Sequence, residues 1–301
     1  MAIPIIFFHY GNPDYLKYAL KQARFYNPHA EIYLLGDKKN DKYPFLTHIN
    51  AANFEGQAPS FTSSYKHMTT NGYMYELNCF LRWFYVREFC RMKGIEAFIY
   101  LDSDILVYQD FATLVPLFKG CRIANTCDEM GVPAFTYFKS YGVIDDFCNY
   151  LLKSYTDKDM LGRLEALYQP FVDDAEMLGG ISDMVLFHLY FQDHPEGTLK
   201  VDLVNNEVAI DACINREDGF EMENGMKKIY WQDNIPYCKY IKSGKLIRFA
   251  IMHYQGHAKN FMRRDYTAGG YKASIFWEEL DLKARIKRLK RAIKTFGSSK
   301  N

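Results

Sequence analysis

What this chain lacks narrows it first. Its seven cysteines contain no C-x-x-C pair, which removes zinc ribbons and thioredoxin-type redox motifs. Lys and Arg exceed Asp and Glu by one, 37 against 36, so there is no basic field of the kind that holds nucleic acid. No apolar run approaches the roughly 20 residues that span a bilayer. The opening MAIPIIFFHYGN has neither a positive segment nor a small-residue cleavage site, and reads as a first strand instead of a signal peptide. No internal repeat or low-complexity tract appears. These absences lead us to expect a cytoplasmic protein whose thiols are reduced and mostly buried.

Aromatic residues are abundant, at 17% of 301, with 24 Tyr and 23 Phe. Surfaces rich in tyrosine suit flat polar ligands such as sugars and bases, although many of these rings must be core. The length suffices for one large α/β domain or two small ones. Residues 3–8 are a continuous apolar run, as in a strand buried on both faces. Asn12-Pro13 signals a helix start, residues 15–26 carry helical spacing, and Asn27-Pro28 stops it. EIYLLGD at 31–37 is a second strand, so the unit is βαβ and the sheet parallel. Residues 38–72 read mostly as loop. Residues 73–93 predict a long helix closed by Gly94, and 98–101 the next strand. Residues 105–125 predict helix then strand, 140–155 and 183–191 two more helices, and 246–254 a late strand ending on His253.

The stretch FIYLDSDILVYQD sets the chemical question: a buried strand runs into Asp102-Ser103-Asp104. Residues i and i+2 of a strand point the same way, so both carboxylates aim together if the strand persists that far. Open α/β sheets bind ligands at this carboxyl edge. Two carboxylates at close range raise each other's pKa unless a cation intervenes, and hard oxygen ligands suit Mg²⁺ or Mn²⁺. Spacing alone equally allows a solvated turn after a strand.

Three further positions bear on that choice. MHYQGHAKNF puts His253 at a strand end with Gly256 and Lys259 at intervals of three. Imidazole would favour Mn²⁺, glycine admits a ligand to the backbone, and lysine is a point charge for phosphate. A histidine capping a strand beside a solvated lysine is the plainer alternative. Arg82, within FLRWFYV, needs an anion: a carboxylate such as Glu76 or Glu96, or a phosphate. Asp183 follows two glycines at a helix start, where it either caps the helix or holds sugar hydroxyls.

Together the aspartate pair after IYL, the upstream helix arginine, the Gly-Gly…Asp segment and H-x-x-G-x-x-K resemble the glycosyltransferases of family 8. The similarity follows motif order across about residues 3–275. It is firmest in IYLDSDILV and HYQGHAKNFMRRDYTAGG. Where that family shows an N-x-G strand, this chain reads GVPAFTYFKSYGVIDDF, which marks a divergent branch.

The resemblance implies an α/β fold with a GT-A-like, mostly parallel Rossmann-type sheet flanked by helices. Its domain would span 1–275, with a nucleotide-binding half at 1–125 and an acceptor half with the diphosphate clamp at 126–275. It implies a retaining hexosyltransferase of surface polysaccharide or lipopolysaccharide synthesis, with a UDP-hexose donor and a saccharide or lipid-linked acceptor. Asp102, Asp104 and His253 would hold Mn²⁺ or Mg²⁺, Gly256 and Lys259 would meet the diphosphate, and Arg82 would lie near the donor. Asp183 would bind the donor sugar near the reacting carbon. His9, Tyr10, Asn12, Asp37 and Ser103 would wall the nucleotide pocket.

Two other kinds of protein share parts of this pattern. A dehalogenase-type phosphohydrolase also uses D-x-D, but with Thr or Val where this chain has Leu106, and on its first strand. A non-catalytic nucleotide-sugar or carbohydrate-binding protein could keep the same fold. Beyond residue 275 the composition changes: seven Lys/Arg lie within KARIKRLKRAIK, and Leu282, Ile286, Leu289, Ile293 and Phe296 recur at helical spacing. This basic amphipathic C-terminal helix, 276–301, is expected either to pack as a solvated helix or to touch an anionic membrane from the inner face through 282–301.

Overall fold

The computed structural model of the chain describes residues 2–127, 131–174, 176–200, 203–204 and 208–268. The tail helix expected at 276–301 lies outside the described residues.

The chain opens with β1 (Ile5–His9), α1 (Leu16–Tyr26), β2 (Ile32–Gly36), β3 (Thr47–Asn50), α2 (Ala58–Ser64) and α3 (Tyr73–Lys93). Next come β4 (Phe98–Leu101), β5 (Ile105–Val107), α4 (Phe111–Leu114), β6 (Ile123–Cys127) and β7 (Gly131–Phe138). Three helices follow, α5 (Tyr141–Thr156), α6 (Lys158–Asp173) and α7 (Asp183–Asp193). Short strands complete the set: β8 (Thr198–Lys200), β9 (Leu203–Val204), β10 (Val208–Ile210), β11 (Met222–Glu223), β12 (Met226–Lys227), β13 (Ile229–Gln232) and β14 (Ile235–Lys239). Last are β15 (Leu246–His253), a 3-10 turn at Gly256–Phe261 and α8 (Met262–Asp265).

The main sheet has the order β3-β2-β1-β4-β7-β6-β8. It is parallel from β3 through β4 and between β6 and β8, and antiparallel on both sides of β7. The fold is therefore α/β with a largely parallel central sheet flanked by helices. Alternation along the strands builds two cores. Ile5 and Phe7 of β1 with Ile99 and Leu101 of β4 face α1 and the second sheet. Ile6 and Phe8 with Phe98 and Tyr100 face α2, α3, α5 and α7. Strands buried on both faces must be apolar throughout, which is why residues 5–8 and 98–101 carry no polar alternation. The expected halves share this sheet, since β1 to β4 precede residue 125 and β7 and β8 follow it.

The second sheet, β13-β14-β15-β10-β9, takes β5 as a partner of β15. No helix among the described residues is long and apolar enough to cross a membrane.

Two expected segments differ from the structure. Residues 38–72 hold β3, a 3-10 turn at Ala51–Phe54 and α2 where loop was expected. β3 lies at the sheet edge and is half exposed, so it lacks the apolar run of the inner strands. Residues 105–125 begin with β5 and not with a helix. Three buried apolar residues are too few to show a period, and only pairing with β15 makes them a strand.

Candidate active site

The two aspartates do not sit in a strand. β4 ends at Leu101, and 102–104 is the turn that carries the chain from the first sheet into β5 of the second. Their common direction, expected from the strand pleat, has another source, because the pleat stops before Asp102. What aims them is the anchoring of the turn. Asp102 donates its N–H to the Ala134 carbonyl at 2.8 Å, and the Asp104 carbonyl accepts from the Tyr254 N–H at 2.9 Å.

The antiparallel register of β5 on β15 places His253 opposite Ile105, the residue after Asp104. One ligand atom each from Asp102, Asp104 and His253 consequently lie within 4.8 Å of one another. His253 Nδ1 is 2.6 Å from the Ala212 carbonyl, which can only accept. Nδ1 therefore carries a ring hydrogen, and Nε2 is the atom turned to Asp104, 3.4 Å away. Two carboxylates and an imidazole whose outer nitrogen is pinned to a carbonyl form a donor set that fits a divalent metal.

Behind His253 lies a buried ion pair. Asp211 accepts the His253 N–H at 3.0 Å and the Lys227 ammonium at 2.8 Å. Lys227 also donates to the Cys213 carbonyl at 2.7 Å and to Asp218 at 2.7 Å. Sequence reading missed both residues. An aspartate inside the apolar run VAIDACI was the available signal, since a buried carboxylate requires a partner.

Asp104 also meets the Lys259 ammonium at 3.1 Å. Burial pushes its pKa up, but the His253 imidazolium and Lys259 hold it well below the usual carboxylate range. Burial opposes charge on His253, and Asp104 overcomes it, lifting the imidazole to about 9. The two carboxylates are therefore kept apart electrically by separate cations. Gly256, at φ +60, leaves open space where a Cβ would project, so the backbone before Lys259 is accessible from the cleft.

Asp102 belongs to the other cation. Arg82, from α3, donates to Asp102 Oδ1 at 2.7 Å and to Asp183 Oδ2 at 2.6 Å. Neither Glu76 nor Glu96 is its partner in these bonds. Burial pulls the Arg82 pKa down, yet Asp102 and Asp183 hold it well above its ordinary value. Asp183 stands in the first turn of α7, where Ser182 is the cap residue and the Asp183 side chain turns inward. It accepts a second bond from the Trp83 indole N–H at 3.0 Å. Tyr100 donates its hydroxyl to Asp102 at 2.9 Å. Trp83 and Tyr100 are core aromatics whose polar tips finish the site, a role no sequence pattern signals.

These residues face one cleft of about 820 Å³, lined by Arg82, Asp102, Asp104, Asp183, His253, Gly256 and Lys259 among others. His9, Tyr10, Asn12, Asp37 and Ser103 do not line it. Ser103 links the two groups, because its hydroxyl lies 2.9 Å from His9 Nδ1. Burial lowers the His9 pKa. Tyr10 packs edge-on against Phe8, with ring centres 5.0 Å apart. Asn12 accepts from the Tyr43 hydroxyl at 2.5 Å. Asp37 accepts from the backbone N–H groups of Gly11 at 3.1 Å and Lys39 at 2.9 Å, and so shapes the loop after β1.

No protein-family model and no curated protein matches the sequence. Among solved structures the chain is similar to mouse xyloside xylosyltransferase 1 in its apo form, at 10% identity and TM-score 0.47, over 70% of this chain and 88% of that one. It is similar to the galactosyltransferase LgtC solved with donor and acceptor sugar analogues, at 14% and 0.42, over 92% and 94%. It is also similar to the bifunctional glycosyltransferase WbbM, at 10% and 0.47, over 92% of this chain but only 51% of that one. The chain thus spans about half the length of WbbM. At these identities and TM-scores it is the residues of the cleft, and not the likenesses, that carry a functional argument.

Proposed function

We propose that this chain is a metal-dependent glycosyltransferase of the GT-A type. It would move a hexose from a UDP-sugar to a hydroxyl of a saccharide or lipid-linked acceptor. The observation that carries this reading is one cleft in which three metal-ligating atoms lie within 4.8 Å, beside Lys259 and across from Asp183. Asp102, Asp104 and His253 would hold Mn²⁺ or Mg²⁺. Such an ion, when bound, acts as a Lewis acid that offsets charge on a diphosphate.

The protein's own groups do the rest. Lys259 places an ammonium beside the same carboxylate and attracts the negative charge that grows on the leaving diphosphate. Gly256 allows that diphosphate to approach the backbone. Asp183 offers a carboxylate toward the sugar carbon as it becomes cation-like. Arg82 and Trp83 hold Asp183 in one orientation, so little reorganisation is needed as charge develops. Ser103 and His9, with Tyr10, Asn12 and Asp37 around the loop after β1, would border the nucleotide.

The reading is tested by thermal stability with UDP, GDP, CDP and dTDP, each with and without Mn²⁺. A shift that needs both UDP and the metal, and that Asp104→Ala abolishes, is the expected result. Absence of any metal-dependent nucleotide shift overturns the glycosyltransferase reading. A metal-dependent shift that survives Asp104→Ala keeps the enzyme and removes this site. Donor hydrolysis across a panel of UDP-sugars then identifies the hexose.

A further inference from the structure

The cleft has a second, apolar end. Leu167 and Phe171 of α6 and Leu178 in the segment before α7 line it together with the charged residues. Segments far apart in the chain are stitched side by side here. Thr70 N–H donates to the Gly179 carbonyl at 2.9 Å, Gly179 N–H donates to the Thr70 hydroxyl at 2.9 Å, and Ile181 N–H donates to the Met68 carbonyl at 2.6 Å. Gly180, at φ +135, makes the seam possible, since a Cβ there would strike the Met68 carbonyl.

The seam gathers exposed hydrocarbon. Among the described residues fifteen large apolar side chains are exposed; seven of them fall within 73–75 or 167–178, and of those Tyr75, Leu167 and Leu178 line the cleft. Leu178 is 82% exposed, the most of all. Scattered single apolar residues need no explanation, whereas a concentration at the mouth of a cleft marks a place that something covers.

Continuity with the charged cluster says what that is. A ligand lying along Leu167, Phe171 and Leu178 extends toward Asp183 and Arg82 within the same cleft. Under the function proposed above, on which this inference rests, the donor diphosphate occupies the Lys259 end. The molecule at the other end is then the acceptor. Asn71, Glu76 and Gln192 on the same cleft wall offer polar groups suited to sugar hydroxyls, while Leu167, Phe171 and Leu178 offer hydrocarbon. We infer that the acceptor is an amphiphile: a saccharide bearing a hydrocarbon group near its accepting hydroxyl, with that group resting on Leu167, Phe171 and Leu178. An alkyl chain or an aromatic ring would satisfy this chemistry.

The test uses the full chain with UDP and Mn²⁺ present. Methyl, octyl and phenyl glycosides of glucose, galactose and N-acetylglucosamine are titrated by calorimetry, below micelle-forming concentrations. For at least one sugar, the octyl or phenyl glycoside is expected to bind about tenfold tighter than the methyl one. An octyl preference indicates a lipid chain and a phenyl preference an aryl group. Leu178→Ser and Leu167→Ser are each expected to cut the preference several-fold, with the UDP–Mn²⁺ thermal shift reporting that the donor end still stands. If no octyl or phenyl glycoside outbinds its methyl counterpart, or if neither substitution changes the preference, the inference is overturned. It is also overturned if sedimentation shows a dimer that Leu178→Ser dissolves, because a second copy then covers the patch. Loss of the UDP–Mn²⁺ shift in the unaltered protein would sink the underlying function instead, so the two failures are distinct.

Discussion

Arg82 sits between Asp102 and Asp183 with little water around any of the three; the side chains are 14%, 23% and 4% exposed. Truncating one partner of a buried pair leaves the other charge stranded, which typically costs about 3–5 kcal/mol. Arg82→Met is therefore expected to lower unfolding free energy by about that amount, measured by urea denaturation. Methionine replaces only the aliphatic stem of Arg82, so the loss includes the guanidinium's contacts with the Trp83 and Tyr100 rings. His253 sets a second expectation. Its imidazole, lifted to about 9 by Asp104, carries a proton at neutral pH, and a metal must displace it to use Nε2. Metal binding near neutral pH should release about one proton, read from the dependence of the calorimetric enthalpy on the buffer's ionisation heat. His253→Ala should abolish that release. Equal enthalpies in phosphate and Tris would refute it.

Single elements deliver these groups, and their pairing decides where each arrives. β5 is three residues long, yet its register on β15 brings His253 to Asp104 across about 150 positions of chain. Arg82 rides on α3 and Asp183 on the first turn of α7, two elements joined through the core by Trp83, which packs on Phe187. Behind β15 the Asp211–Lys227 pair is almost fully buried, at 0% and 1% side-chain exposure. Lys227→Met should therefore destabilise the fold by about 3–5 kcal/mol and release the segment whose Ala212 carbonyl orients His253. Partners of this kind typically account for about 10–100-fold in metal affinity, so Mn²⁺ binding should weaken by that factor at temperatures where the variant is folded. Unchanged affinity would mean that the pair serves stability alone. α6 is absent from the sequence reading although Leu161, Leu164, Tyr168 and Phe171 recur at helical spacing; among its residues only Leu164 is fully buried. α3, with ten buried residues and a glycine stop, is legible from end to end.

At the scale of the molecule, the cleft couples stability to pH. Glu76, beside Asn71 on its wall, has its carboxyl raised by burial from an ordinary 4.5 to about 7. The folded chain then holds a proton that the unfolded chain releases. This contribution to stability is complete below about pH 4.5 and is lost as pH rises through about 7. Glu76→Gln should flatten the stability–pH curve in that window, followed by chemical denaturation at several pH values. An unaltered slope would show that Glu76 ionises freely.

The sequence by itself determined β1, β2, β4 and β15, the helices α1, α3, α5 and α7, and the identities of the charged candidates. Burial on one or both faces imprints a local period, and D-x-D and H-x-x-G-x-x-K are short enough to read in place. It determined neither the partner of Arg82 nor the inward turn of Asp183. Local rules left a carboxylate such as Glu76 or Glu96, or a phosphate, for the first and a cap or sugar hydroxyls for the second; Arg82 joins Asp102 to Asp183. It also suggested one pleat for Asp102 and Asp104, where the structure has a turn between two sheets. Only the tertiary structure decided these, together with the apolar mouth made by the 68–71 and 179–181 seam. The reason is physical: a side chain's nearest charge is chosen by which strands pair and which helices pack, and those contacts close over a hundred residues or more.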